Sequence, residues 1–114
     1  MEFEGEYLNG ERNGKGKEYD YDRDLIFEGK YLNGEKNGKG KEYDINGKLK
    51  FEGEYLYGKK IRGKEYYYNG NIIFEGEYLN GERLSGKAYD NEGNLCYDLK
   101  NANGIIKEYD IMVN

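Results

Sequence analysis

The chain has 114 residues, of which 36% are Asp, Glu, Lys or Arg, with a formal net charge of −5 and a pI near 4.9. An acidic balance argues against a nucleic-acid binder, which needs a basic face, and against general attraction to anionic membranes. Disorder is disfavoured as well: 16% of the residues are aromatic and 14 are tyrosine, recurring at fixed spacing, whereas disordered chains are poor in aromatics.

In chain order, FEGEYLNG starts at Phe3, FEGKYLNG at Phe27, FEGEYLYG at Phe51 and FEGEYLNG again at Phe74, at intervals of 24, 24 and 23 residues. A worn fifth copy, YDLKNANG, starts at Tyr97. Self-similarity at such a period is the signature of a repeat architecture. Leu25, Phe27, Gly29 and Tyr31 alternate with Ile26, Glu28, Lys30 and Leu32, and period-2 alternation over eight residues predicts a strand with one apolar face. A second block follows each first one: GKGKEYD at 14–20 and 38–44, RGKEYYY at 62–68, SGKAYDN at 85–91 and IIKEYDI at 105–111.

Between the two blocks, residues 33–38 read as a six-residue connection, shortened by one in the third and fourth copies. In the fifth it is reduced to Asn101-Ala102-Asn103-Gly104, which reads as a tight turn. Between repeats, Asn46-Gly47 and Asn69-Gly70 have the chemistry of type I′ hairpin turns, and Gly93 does the equivalent job after Glu92. At the first such junction Arg23 stands where glycine is expected, which predicts a looser turn or another type. Short turns make successive strands antiparallel, so the expected fold is all-β, a meander of about five tandem hairpins.

Glycine in each FEGEY block lies between Phe and Tyr on the same face. A glycine inside a strand marks a place where another group approaches the backbone closely, here a neighbouring ring. Gly16, Gly40, Gly63 and Gly86 offer the same slot in the second strands. Tyr19, Tyr43, Tyr66 and Tyr89 lie an odd number of residues from the preceding glycine, so either a bulge re-aims them or the sheet carries rings on both sides.

The residues that usually carry catalysis are scarce. Histidine and threonine are missing, Ser85 is the sole serine and Cys96 the sole cysteine, so no Ser-His or Cys-His pair can be built. The same scarcity argues against a metal site and a bound cofactor. Asp20, Asp22 and Asp24 lack the central glycine and terminal glutamate of a calcium loop and read as a solvated acidic turn. GKGKEY lacks the spacing of a phosphate loop. Carboxylates such as Glu4 and Glu6 recur along the chain, as a surface does. The chain is therefore not expected to be an enzyme. One cysteine, read as packing in a strand, and an acidic N-terminus without an apolar h-region fit a cytoplasmic protein.

The pattern Phe27-Glu28-Gly29-Lys30-Tyr31, Asn33-Gly34, Gly38-Lys39-Gly40 resembles the MORN repeat, YEGEWxNGxxxGxGxY, with Tyr in place of the common Trp. The resemblance runs from Phe3 to about Tyr109 and implies one repeat domain over residues 1–114, with repeats starting near 3, 27, 51 and 74 and a degenerate copy at 97–113. It looks most like the bacterial MORN-variant type, some members of which carry an antitoxin-like label. It implies a single-layer, twisted antiparallel β-meander that acts as a scaffold, dimerises or contacts lipid.

The leading functional expectation is a protein-interaction or scaffolding module. The candidate partner-binding aromatic face is Tyr7, Phe27, Tyr31, Phe51, Tyr55, Phe74 and Tyr78, since tyrosine combines an apolar ring with a hydroxyl that tolerates water. A peptide would lie along this face or extend a free edge strand, and the edges offer a route to homodimers. A second expectation is binding to anionic lipid or phosphoinositide headgroups through a basic loop, Lys59, Lys60, Arg62 and Lys64. A third is a fragment or designed array without activity of its own. The apolar last hairpin, with Ile105, Ile106, Ile111, Met112 and Val113, reads as a C-terminal cap or docking edge.

Overall fold

The computed structural model describes residues 1–100. Those residues form nine strands: β1 (Glu2–Leu8), β2 (Glu11–Tyr19), β3 (Leu25–Leu32), β4 (Glu35–Tyr43), β5 (Leu49–Leu56), β6 (Lys59–Tyr66), β7 (Ile72–Leu79), β8 (Glu82–Tyr89) and β9 (Leu95–Leu99). They pair antiparallel in sequence order as one open sheet. Among the described residues there is no helix, and no second layer covers the sheet. The turn expected at 101–104 and the apolar last hairpin lie outside them.

The two kinds of turn are the reverse of the sequence expectation. Type I′ geometry, with both central residues at positive φ, occurs within repeats: Asn9-Gly10, Asn33-Gly34, Tyr57-Gly58 and Asn80-Gly81. The expected six-residue connection is thus a two-residue turn, and residues 35–38 already belong to β4. Between repeats, Gly47 has φ +81 while Asn46 is not at positive φ. There the Asp44 carbonyl accepts the Gly47 N–H, and the Asp44 N–H donates to the Lys48 carbonyl, a type I turn closed by a left-handed residue. The Asp44 carboxylate secures it by accepting the N–H groups of Asn46 and Lys48.

The first junction is built the same way, not more loosely. Asp20 accepts the N–H groups of Asp22 and Asp24, and Arg23 takes the left-handed place at φ 69. The side-chain anchor holds the turn in shape without glycine. Within the hairpins, Tyr57 carries a similar torsional cost where the other three repeats use asparagine. Tyr57→Asn is expected to raise stability by about 0.5–1 kcal/mol, since Asn tolerates this region better. A chemical-denaturation midpoint that does not rise would remove that account.

The glycines pair with one another across the sheet. Gly5, Gly16, Gly29, Gly40, Gly53, Gly63, Gly76 and Gly86 are successive register partners, an unbroken row over eight strands. The far edge of each phenylalanine lies over one hairpin's glycine pair: Phe3 on Gly5 and Gly16, Phe27 on Gly29 and Gly40, Phe51 on Gly53 and Gly63, Phe74 on Gly76 and Gly86. Phe27, Phe51 and Phe74 are fully buried by this packing although the sheet has only one layer.

Two bulges per repeat bend the ribbon. One falls between the glycine and the tyrosine of FEGEY and absorbs residues 13–15 opposite Glu6, but only Ile61 between the Arg62 and Lys60 pairings. The shorter third and fourth copies are therefore accommodated inside a bulge. The other falls beside the GKEY tyrosine, where Ile26, Lys50, Ile73 and Cys96 are the unpaired residues. Bulges increase the local twist and bend. Cys96 sits exposed at such a bulge, not packed as the sequence reading had it.

Candidate functional site

One face of the sheet is a column of rings. Tyr7, Phe3, Tyr31, Phe27, Tyr55, Phe51, Tyr78 and Phe74 follow one another edge to face, with centroids 5.1–5.9 Å apart. Each inter-repeat contact joins a phenylalanine to the tyrosine of the next copy, and such pairs contribute roughly 0.5–1.5 kcal/mol beyond area burial. Six of the seven candidate partner-binding residues, Phe27, Tyr31, Phe51, Tyr55, Phe74 and Tyr78, are buried in this column, while Tyr7 is 59% exposed. A partner on this face meets chiefly the layer above the rings.

That layer is ionic. Arg12, Lys36, Lys60 and Arg83 stand over Phe3, Phe27, Phe51 and Phe74 at 4.1, 4.1, 4.2 and 4.8 Å from the ring centroids. The hydroxyls of Tyr31, Tyr55 and Tyr78 donate to Glu18, Glu42 and Glu65 of the preceding repeat. Arg12, Lys60 and Arg83 pair with those same carboxylates at 3.5, 3.7 and 2.9 Å. Glu18, only 7% exposed, is thus compensated by a cation and a phenol, the condition for keeping a charge out of water. This unit was invisible in the sequence because Arg12, Lys36 and Lys60 read as connection residues.

Burial first, then the hydrogen bond to a carboxylate and its negative charge, push the Tyr31, Tyr55, Tyr66 and Tyr78 phenols well above their ordinary range, and Tyr43 up to about 12. A raised phenol keeps its proton in the folded chain at a pH where the unfolded chain has released it. Stability from these groups is therefore fully present below about pH 10 and lost as pH rises above it. The denaturation midpoint is expected to fall steeply in that window, with the share of tyrosinate absorbance that belongs to these five phenols appearing together with unfolding. A midpoint unchanged to pH 12 would contradict this. Burial alone would raise the Glu65 carboxyl, but hydrogen bonds from Arg83 and Tyr78 outweigh it and hold it below its usual range.

The other face is a groove of about 1080 Å³ whose floor is the glycine row and whose walls are lysines and glutamates. Along one wall the charges alternate strictly in register: Glu4, Lys17, Glu28, Lys41, Glu52, Lys64. The GKEY tyrosines belong to this side, since the hydroxyls of Tyr19, Tyr43 and Tyr66 donate to Glu4, Glu28 and Glu52 of the groove wall. The sheet therefore carries rings on both faces.

The basic stretch at 59–64 is strand β6, not a loop. Its cations separate: Lys60 lies over Phe51 beside Glu42, Arg62 pairs with Glu54 at 2.7 Å, and Lys64 lines the groove. Lys59 is exposed beside the Tyr57-Gly58 turn. Asp20, Asp22 and Asp24 do bring carboxylate oxygens within 4.8 Å of one another. Asp20 nonetheless performs the turn-holding role that Asp44 and Asp90 perform without such neighbours.

An open sheet of tandem hairpins, sealed by phenylalanine over paired glycines and lacking a second layer, defines a β-repeat array. The MORN repeat matches residues 3–24 and 27–48, so the chain contains MORN repeats. The unit continues past these two copies, since β5–β6 and β7–β8 repeat the same ring-on-glycine construction. No curated protein matches the chain. MORN repeats are non-catalytic modules of protein and membrane interaction.

Proposed function

We propose that this chain is a protein-binding scaffold module that takes a peptide segment of its partner in the glycine-floored groove. The observation that carries the reading is the groove itself: a concavity of about 1080 Å³ crossing the strands, with bare backbone at its floor. Backbone without side chains lets another chain approach closely. The opposite face is sealed by its own cations and carboxylates, which leaves the groove the more accessible of the two. Leu8, Leu32, Leu56 and Leu79, each 43–58% exposed at the ends of their strands, add a periodic apolar row for side chains of a bound segment.

Selection of peptides from a random library on the folded chain, followed by amide chemical-shift mapping, tests this. Selected peptides should shift the amides of Gly16, Gly29, Gly40 and Gly53. Perturbations confined to the ring face or to β1, or no selected peptide at all, would remove the proposal.

A further inference from the structure

We infer that the groove is built for an acidic peptide segment, held where β2, β3 and β4 cross its floor; this rests on the groove reading above. The wall opposite the alternating one breaks its own pattern. Its β1 and β5 positions are Glu6 and Glu54, and the equivalent β7 residue, beyond the groove, is Glu77, but the β3 position is Lys30. Lys30 is the register partner of Lys15, and Lys39 follows on β4 in the same wall. Like charges directly opposite on neighbouring strands are destabilising, so this juxtaposition costs the empty sheet stability.

Around it the imbalance grows. Strands β2–β4 themselves give the groove Lys15, Lys17, Lys30, Lys39 and Lys41 but only Glu28; Lys17, Lys39 and Lys41 face Glu4, Glu54 and Glu52 across the register, whereas Lys15 and Lys30 face each other. Among the described residues none of these five lysines lies within ion-pair distance of a carboxylate. Glu6 accepts the Lys15 backbone N–H at 3.1 Å, not its ammonium. In a chain of net charge −5, a local excess of this size inside a concavity focuses the field on its floor.

The shape of the patch selects its occupant. Glu4, Glu6, Glu52 and Glu54 line the groove on either side of the patch. A broad anionic surface such as a membrane would press against these carboxylates. A single chain, one strand wide, can set its own carboxylates among the lysines and pass between the glutamates. Complementary charge of this kind sets register and partner choice.

The test uses the full chain with a labelled peptide of alternating glutamate and serine, a matched lysine-serine peptide, and vesicles of phosphatidylcholine with and without phosphatidylserine. The glutamate peptide should bind by fluorescence anisotropy, weaken with added salt and shift the Gly16, Gly29 and Gly40 amides. Lys30→Glu restores the residue used at Glu6, Glu54 and Glu77, so folding should survive, while affinity should fall about tenfold or more. Lys50→Glu, the same charge change outside the groove, should leave it unaltered. Equal loss in both variants, or equal binding of the lysine peptide, would overturn the acidic-segment inference. Tight phosphatidylserine-dependent vesicle binding abolished by Lys30→Glu would overturn it in favour of a membrane. Groove occupancy by library peptides without acidic preference would leave the scaffold reading standing and this one refuted.

Discussion

Gly53→Ala is expected to lower stability by about 3 kcal/mol or more, at the upper end of overpacking penalties. A Cβ at this position would lie 2.1 Å from the Arg62 carbonyl oxygen, 2.6 Å from the Gly63 Cα and 2.8 Å from the Phe51 ring. Two of those three atoms are backbone of the paired strand, so no rotamer change relieves the contact. Only parting β5 from β6 does, and that also lifts Phe51 from its seat. Gly47→Ala is the contrasting variant: nothing lies within 4 Å of its Cβ, and the cost is the positive φ of +81 alone, about 1 kcal/mol. Equal midpoints for the two variants in chemical denaturation would show that torsion, and not close approach of strands, makes these glycines necessary.

Phe51→Ala is the second large effect, expected at about 3–5 kcal/mol. Its ring is 1% exposed, rests on Gly53 and Gly63, meets Tyr55 and Tyr78 edge on, and is roofed by Lys60. Removal opens a cavity and leaves Tyr78 without its ring contact to the preceding repeat, only its hydrogen bond to Glu65 remaining. Phe3→Ala should cost roughly half as much, because Phe3 is only partly buried and belongs to the first repeat. Loss of the same size at both positions would mean that the column does not gain from internal placement.

Much of this fold was legible because the ring and the glycine it covers occur in one short string and recur. Phe51, Gly53 and Tyr55 alternate visibly, and the glycine slots predicted in both strands of each hairpin are the ones occupied. Turn types were not legible for a local reason: Asn33-Gly34 and Asn46-Gly47 are the same dipeptide, and only the two closing strands decide which is I′. Arg23 looked like a defect because the anchor, Asp20, lies three residues earlier. The basic stretch at 59–64 read as a loop because the bulge at Ile61 interrupts its alternation. The aromatic candidates fall in one ring column, but their burial depends on cations that the sequence places in neighbouring strands. On the groove face, Glu4, Glu6, Lys15 and Lys17 were visible as an alternating surface. Their concavity was not, because curvature comes from bulges that period-2 counting cannot see.

The edge-to-face column has a consequence for how such a chain changes length. Phe3, Phe27 and Phe51 are each completed by the tyrosine of the following copy, and by no ring farther away. Interactions are thus nearest-neighbour only, so gain or loss of a whole hairpin leaves the remaining junctions intact. Each added copy would lengthen the ribbon by two strand spacings, about 9.5 Å. Copy number then acts as a ruler that sets the span of both faces of the ribbon, independently of the side chains that decide the chemistry of each face.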